Sequence, residues 1–146
     1  MGNNAETTTN TIPQVRGPKQ VIVMRTDLGM RKGKMMAQAA HASMMFLREL
    51  IELEDDEGRV YSHIAEYTPE QAEWLRGEYA KIVVGVGSED EMAEILLVAW
   101  NRGLTAYEVI DNGHTEFNGV KTKTCICIGP HHPDVFVGLT NHLKLL

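Results

Sequence analysis

Four short runs of apolar, mostly β-branched residues alternate with helical patterns along this chain of 146 residues. The runs predict buried strands, and strands that are apolar throughout are usually covered by helices on both faces. Helical patterns separate the first three runs, so these strands can run parallel, joined by right-handed crossovers. The connection before the fourth run is too short for a crossover, which predicts an antiparallel strand. The runs lie at 19–25, 81–86, 106–110 and 123–128.

The helical patterns complete the predicted fold. The first helix is expected to reach about residue 53, where the acidic stretch 52–57 leads to a stop at Gly58. Gly129-Pro130 is expected to break the fourth strand. The result is an α/β fold with a single three-layer domain at 19–146, built on a mixed four-stranded β-sheet with helices on both faces. Residues 1–18 are rich in Asn and Thr and are predicted to form a flexible polar tail. Helices are predicted to begin near residues 34, 69, 89 and 133.

The charge of the chain is unevenly distributed. The formal net charge is −6, which as a total argues against a nucleic-acid partner. Residues 1–46, however, hold six basic and two acidic residues, whereas residues 47–94 hold four basic and fourteen acidic residues. The N-terminal third is therefore basic, and the total charge does not exclude a polyanionic ligand.

Cysteine content and hydropathy restrict the location. No apolar run approaches the ~18 residues needed to span a bilayer, so we expect a soluble protein without a membrane partner. The only cysteines are Cys125 and Cys127. We expect their side chains to point to opposite faces of a strand and to stay unpaired. They lack partners at zinc-site spacing, and His131-His132 also lacks them, so no metal is expected. A reducing, cytoplasmic location fits best.

The first candidate site is the loop that follows the first strand. Arg31, Lys32 and Lys34 bring three cations to the start of the first helix, and Gly29 and Gly33 allow close approach of the backbone. A helix N-terminus at the carboxyl end of a parallel strand is suited to binding an anion. The alternative is that these basic side chains are simply solvated.

The first helix continues this site along one face. Lys34, Gln38 and His41 are spaced i, i+4, i+7 and fall within about 60° of one another on the helix. Their alignment predicts a polar stripe on a helix otherwise lined by Met and Ala. Since Arg48 and Glu52 continue the same line, a solvated stripe is the alternative.

The second candidate site follows the third strand, at Asp111 to Glu116. If the first and third strands are parallel, this loop lies at the same sheet edge as the first, where a carboxylate could meet Lys34. Thr115 could orient a hydroxyl or a water there. The alternative is a simple turn, because Asp-Asn-Gly is good turn chemistry.

The motif RTDLGMRKGK at 25–34, with Gln38 and His41 after it, resembles the second-type peptidyl-tRNA hydrolases, a family typical of archaea and eukaryotes. The resemblance covers residues 19–146. It returns at Lys81-Ile82-Val83, at Asp111 with Gly113 and Thr115, at Gly129-Pro130, and at His142-Leu143-Lys144-Leu145.

The resemblance implies hydrolysis of the ester that joins a peptide to the 3′ end of tRNA, which recycles peptidyl-tRNA. It puts the family's functional lysine on Lys34 and its aspartate on Asp111, and Thr115 would line the same site. We expect Asp111 to position or activate the water, with Thr115 assisting. Gln38 and His41 would line the same site. It implies no metal, and we expect no cofactor.

Substrate contacts follow from the same hypothesis. We expect the tRNA backbone to contact Arg25, Arg31 and Lys32, and Gly113 to belong to the substrate site. The expected partner is tRNA that carries a peptide, not DNA, and a homodimer is left open.

The alternative is a catalytically inactive RNA-binding or interaction module on the same fold. It is favoured by the loop 112–121, which departs from the family pattern: Asn112 and His114 flank Gly113, and Asn118-Gly119 stands where Pro-Gly is usual.

Overall fold

The computed structural model describes residues 16–64 and 66–146, so positions 1–15 of the predicted tail lie outside the described residues. The described part contains strands, α-helices and one short 3-10 helix. The strands are β1 (Lys19–Arg25), β2 (Ile51–Asp56), β3 (Arg59–Ile64), β4 (Ala80–Val86), β5 (Ala106–Asp111), β6 (Thr122–His131) and β7 (Lys144–Leu145). The helices are α1 (Lys32–Leu50), α2 (Pro69–Arg76), α3 (Glu89–Asn101) and the 3-10 helix Pro133–Phe136.

The main sheet is mixed, as predicted. Its strand order is β5-β6-β1-β4-β7. Strand β1 pairs parallel with β4, and β6 pairs antiparallel with both β1 and β5. Strands β1, β4 and β5 therefore run in one direction, and the predicted antiparallel strand lies between two of them. The two-residue strand β7 adds a fifth member at the edge of β4.

Helices cover both faces of the sheet, which confirms the predicted α/β class. Alternate residues of β1 face opposite sides, since side chains alternate along a strand. Ile22 and Met24 belong to the core under α1, whereas Val21 and Val23 belong to the core under α3 and the 3-10 helix. Helix α2 lies on the α1 side, where the rings of Trp74 and Phe46 pack edge to face at 5.6 Å. In the described ranges, no helix is long and apolar enough to cross a membrane.

The acidic stretch after α1 is a hairpin, so the predicted helix to residue 53 was wrong there. Helix α1 ends at Leu50, and β2 and β3 pair antiparallel in a separate two-stranded sheet. Glu57 and Gly58 form the turn with φ of 49° and 76°. Two consecutive positive φ angles are typical of the type I′ turn that joins hairpin strands. Apolar residues alternate with acidic ones in β2, which is a strand period rather than a helical one.

Two expectations about the fourth predicted strand are also corrected. Strand β6 does not break at Gly129-Pro130 but continues to His131. Its pairing with β1 shifts register there. Proline has no backbone N–H to donate, and the irregular pairing at this point does not require one. Cys125 and Cys127 face the same core rather than opposite faces, because residues two apart in a strand share a face. Both are free thiols.

Candidate active site

A lysine, an aspartate and a threonine meet at one edge of the main sheet. Lys34 Nζ donates hydrogen bonds to Asp111 Oδ1 at 2.7 Å and to Thr115 Oγ1 at 2.8 Å. The side chains of Lys34 and Asp111 are only 12% and 14% exposed. Lys34 Nζ lies over the ring of Phe117, 5.6 Å from its centroid, and the face of an aromatic ring attracts a cation. The ammonium is thus held in one place by three neighbours.

The topology explains why these residues meet. Strands β1 and β5 run in the same direction, so the loops that follow them lie at the same edge of the sheet. Lys34 is in the first turn of α1, which follows β1, and Asp111 is the last residue of β5. The expected meeting of the lysine and the carboxylate therefore occurs, while their catalytic roles stay predictions.

The buried side-chain amide of Gln38 holds Asp111 in position. Gln38 is 1% exposed, and its Nε2 donates to Asp111 Oδ1 at 3.2 Å. Its Oε1 accepts from Thr124 Oγ1 at 2.6 Å. Because an ionised carboxylate only accepts hydrogen bonds, the amide nitrogen must face Asp111, and this fixes the orientation of the whole chain of contacts. The predicted stripe on α1 therefore faces the sheet at Gln38 and is not solvated there.

The loop after β5 holds the second oxygen of the carboxylate. The backbone N–H of Gly113 donates to Asp111 Oδ2 at 2.8 Å. Gly113 has a φ of +81°, and an added Cβ would collide with the backbone of Val120. Glycine is therefore required here both by conformation and by space. The turn and the candidate site are the same structure, not alternatives.

Asp111 is ionised in this environment. The hydrogen bond from Lys34 does most to lower the pKa of its carboxyl group, and the Gly113 N–H and the Gln38 amide lower it further, against the opposing effect of burial. Donors that favour the charged form stabilise a carboxylate. The site thus places a negative and a positive group side by side at neutral pH.

A pocket of about 280 Å³ opens above this pair. Lys34, Gln38 and Asp111 line it together with the exposed side chains of His41 and His114. A second depression, of about 360 Å³, shares Lys34 and extends toward the start of α1. The site is therefore an open surface, suited to a large substrate rather than to a small enclosed ligand.

The predicted basic contacts differ in their surroundings. Arg31 is exposed and its Nε donates to Glu116 at 2.7 Å, and Lys32 is exposed at the first position of α1. Arg25 is 8% exposed and donates two hydrogen bonds to Asp27, at 2.7 and 3.1 Å. The structure brings Arg31 to the candidate site but commits the guanidinium of Arg25 to Asp27.

Sequence reasoning missed Thr124. This side chain is fully buried, and through Gln38 it supports the aspartate at the site. A hydroxyl directly before the apolar residues 125–128 of a predicted buried strand was the available signal, because a buried polar group needs a partner. In the described ranges, no group of three or more His, Cys, Asp or Glu side chains is arranged to hold a metal ion.

Comparison with known proteins identifies the family. The family model described as peptidyl-tRNA hydrolase PTH2 matches residues 18–146. The chain belongs to this family. A peptidyl-tRNA hydrolase of Methanocaldococcus jannaschii is 39% identical over 128 residues, which cover 88% of this chain and 99% of that protein. A peptidyl-tRNA hydrolase of Methanothermobacter thermautotrophicus is 37% identical over the same shares.

A eukaryotic relative shows the same relationship. A protein of Dictyostelium discoideum named probable peptidyl-tRNA hydrolase 2 is 33% identical over 127 residues, which cover 87% of this chain and 54% of that protein. The resemblance to the second-type peptidyl-tRNA hydrolases is thus confirmed, and with it the enzyme class and a peptidyl-tRNA substrate.

Proposed function

We propose that this chain hydrolyses the ester between the peptide and the 3′ end of tRNA at a reaction centre made of Lys34, Asp111 and Thr115. The observation that carries the proposal is the contact of Lys34 Nζ with Asp111 Oδ1 and Thr115 Oγ1 at 2.7 and 2.8 Å. Ester hydrolysis needs an activated water and a group that stabilises the negative charge developing on the carbonyl oxygen. Asp111 is the group that can activate the water, and Lys34 is the group that can stabilise the charge.

Lys34 stabilises the developing oxyanion in this proposal. An ammonium has three N–H donors, and Asp111 and Thr115 accept two of them. The third is left for the carbonyl oxygen as it becomes negative. Since the other two bonds hold the ammonium before the substrate arrives, little reorganisation is needed during the reaction.

Asp111 and Thr115 hold the attacking water. The lowered pKa of Asp111 makes it a weak base but keeps it charged, so it orients the water and accepts the proton that the water loses as it attacks. The water oxygen bonds to the carbonyl carbon, and the tetrahedral intermediate then breaks its bond to the ribose oxygen. The ribose oxygen takes up the proton that Asp111 accepted from the water, and the carboxylate is regenerated. The products are the free peptide and tRNA with its terminal hydroxyl restored.

The tRNA lies on the basic side of this centre. Arg31 and Lys32 are exposed at the N-terminus of α1, where backbone N–H groups also favour phosphate. Gln38 holds Asp111 in place, and His41 lines the reaction pocket. Gly113 is buried and holds Asp111 through its N–H, so its contact with the substrate stays a prediction. The ion pair of Arg25 with Asp27 supports a role in holding the end of β1, so its contact with tRNA stays a prediction.

Two further statements belong to the proposal. We place the protein in the cytoplasm, because its substrate forms on ribosomes. The sequence leaves a homodimer open, and sedimentation at micromolar concentration tests it.

The decisive experiment is hydrolysis of N-acetyl-aminoacyl-tRNA in single turnover at enzyme excess. We expect Lys34→Ala and Asp111→Ala each to lower the rate by about 10²–10³-fold, the effect of losing an oxyanion donor or a water-orienting group. Lys144→Ala, an exposed lysine on β7, is the control and should match the wild type. Wild-type rates in both site variants would refute this centre. Tight tRNA binding by the wild type without any release would favour the inactive RNA-binding module.

A further inference from the structure

An apolar groove continues from the reaction pocket along α1. Its volume is about 790 Å³, and it lies between the second half of α1, the start of β2 and the edge strand β5. His41, Val109 and Ile110 line both the pocket and the groove, so the two form one continuous depression.

The groove exposes large apolar side chains to solvent. Met44 is 63% exposed, Leu53 is 70% exposed and Ile110 is 50% exposed. Three such side chains around one groove form a contiguous apolar surface, which is typical of a binding site rather than of ordinary protein surface. Met44 and Met45 are flexible side chains that adapt to ligands of different shape.

The three depressions follow one another along α1 in a fixed order. The basic depression lies at Arg31 to Lys34, the reaction pocket at Lys34 to His41, and the apolar groove at His41 to Arg48. Peptidyl-tRNA has the same order: phosphates, then the ester, then the peptide. If the ester lies at Lys34 and the phosphates at Arg31, the peptide must leave the pocket on the side where the groove begins.

We propose that this groove binds the peptide part of the substrate, and that Met44, Leu53 and Ile110 recognise apolar side chains near its C-terminus. This inference rests on the proposed function, because the reaction centre sets the position of the ester. From His41 to Arg48 the helix rises about 10 Å. An extended peptide advances ~3.3–3.6 Å per residue, so this length takes about three residues.

The edge strand β5 supplies a way to bind peptides of differing sequence. In the described part of the chain, β5 pairs only with β6, so its other edge has no strand beside it. Residues Glu108, Val109 and Ile110 of this strand line the groove. An extended peptide along such an edge forms main-chain hydrogen bonds that do not depend on sequence. With its C-terminal ester at Asp111, the peptide would run parallel to β5.

The test compares two substrates on the same tRNA. One carries an acetylated peptide of four glycines, and the other carries an acetylated peptide of three leucines followed by glycine, so that the two differ in side chains and not in main-chain contacts. We expect the wild type to favour the leucine substrate about tenfold in kcat/KM, a factor that ~1.4 kcal/mol of apolar contact supplies. The double variant Met44→Gln with Leu53→Gln should reduce this ratio to about one.

A matched double variant controls for the loss of exposed apolar side chains. Met36→Gln with Leu97→Gln makes the same two substitutions at residues that are 67% and 55% exposed outside the groove. It should keep the tenfold ratio. A wild-type ratio near one overturns the inference, as does a groove variant that keeps the wild-type ratio, whether its rates are normal or reduced for both substrates. A change of oligomeric state with an unchanged ratio would assign the groove to a second copy of the chain and also overturn the inference.

Failure of the proposed function gives a different result. If the wild type hydrolyses neither substrate, the same comparison is made by binding, with the two acyl groups joined to tRNA by a non-hydrolysable amide. A tenfold ratio of Kd that is lost only in the groove variant supports the groove, and equal affinities refute it.

Discussion

Replacing the buried amide of Gln38 separates its structural role from its effect on the reaction. Gln38→Met keeps the length of the side chain but removes both of its polar contacts. Thr124 Oγ1 then loses its acceptor at 2.6 Å and keeps two longer contacts, to the carbonyl oxygen of Val109 at 3.5 Å and to Cys125 Sγ at 3.8 Å. Asp111 loses the donor at 3.2 Å.

The stability effects follow from which groups are left without partners. A buried polar group that loses its partner costs about 1–3 kcal/mol. Gln38→Met leaves the hydroxyl of Thr124 with only the two long contacts, and Thr124→Val leaves Oε1 of Gln38 without its hydrogen-bond partner. Each single variant should therefore lose about 1–3 kcal/mol of stability. The double variant strands neither group, so it should be more stable than the sum of the single effects by about 1–3 kcal/mol.

Activity should respond differently from stability. Asp111 lacks the Gln38 donor in the single variant Gln38→Met and in the double variant alike. We therefore expect the rate of ester cleavage to fall about tenfold in both, within the range for a residue that positions a catalytic group. Adding Thr124→Val restores stability without restoring the reaction.

Urea unfolding of the four proteins measures the first effect, and single-turnover hydrolysis of N-acetyl-aminoacyl-tRNA measures the second. Strictly additive stability losses would show that Gln38 and Thr124 are not coupled as their 2.6 Å contact requires. Recovery of the wild-type rate in the double variant would show that the donor to Asp111 has no part in the reaction.

Three further predictions follow from the site. The pKa of Asp111 is lowered in the folded state, so its charge stabilises the fold above the unfolded-state pKa of about 3.9, and this contribution is lost as the pH falls through the folded pKa. The urea midpoints of wild type and Asp111→Asn should therefore differ most above about pH 5 and converge in acid. A difference that does not change with pH contradicts the lowered pKa. Arg31→Ala should raise KM for tRNA substrates and lower the steepness of log affinity against log salt by about 1. Arg102→Ala, at the far end of α3, should change neither. Equal slopes for the wild type and Arg31→Ala would show that Arg31 does not contact the tRNA. Gly113→Ala should lower the stability by at least ~2 kcal/mol and remove most of the activity, because its Cβ would collide with the backbone of Val120. Gly119→Ala should lower the stability by only about 1 kcal/mol, because Gly119 has a φ of +76° but no atom near the added Cβ. Equal losses of stability in thermal unfolding would refute the steric argument.

Local chemistry was enough to predict most of the elements. Thr68 caps α2 through the backbone N–H of Gln71, and the Gln71 side chain accepts from the backbone N–H of Thr68, at the helix start predicted near residue 69. Gly103 follows α3 with a φ of +73°, as expected of a residue that ends a helix. These features depend on neighbours within a few residues, and a sequence pattern records them directly.

The hairpin of β2 and β3 was missed because its sequence carries two competing signals, one for a helix end and one for a strand. Gly58 is typical of a helix end, but the acidic residues before it are disfavoured there by the helix dipole, and Ile51 and Leu53 alternate with them at a strand period. Because the hairpin is nearly all exposed, little burial marks it as a strand. The groove proposed for the peptide depends on it, so sequence reasoning missed that surface too.

By itself the sequence determined that Lys34 and Asp111 lie at or just beyond the ends of two strands that can run in one direction, because strand periods, crossover lengths and turn residues are local properties. Only the tertiary structure decided that β6 lies between β5 and β1, which brings Thr124 under Gln38 and so fixes the carboxylate of Asp111. It likewise decided that Asp27 takes up the guanidinium of Arg25. Strand order and side-chain partners are set by the packing of segments far apart in the chain, and no periodicity within one segment specifies them.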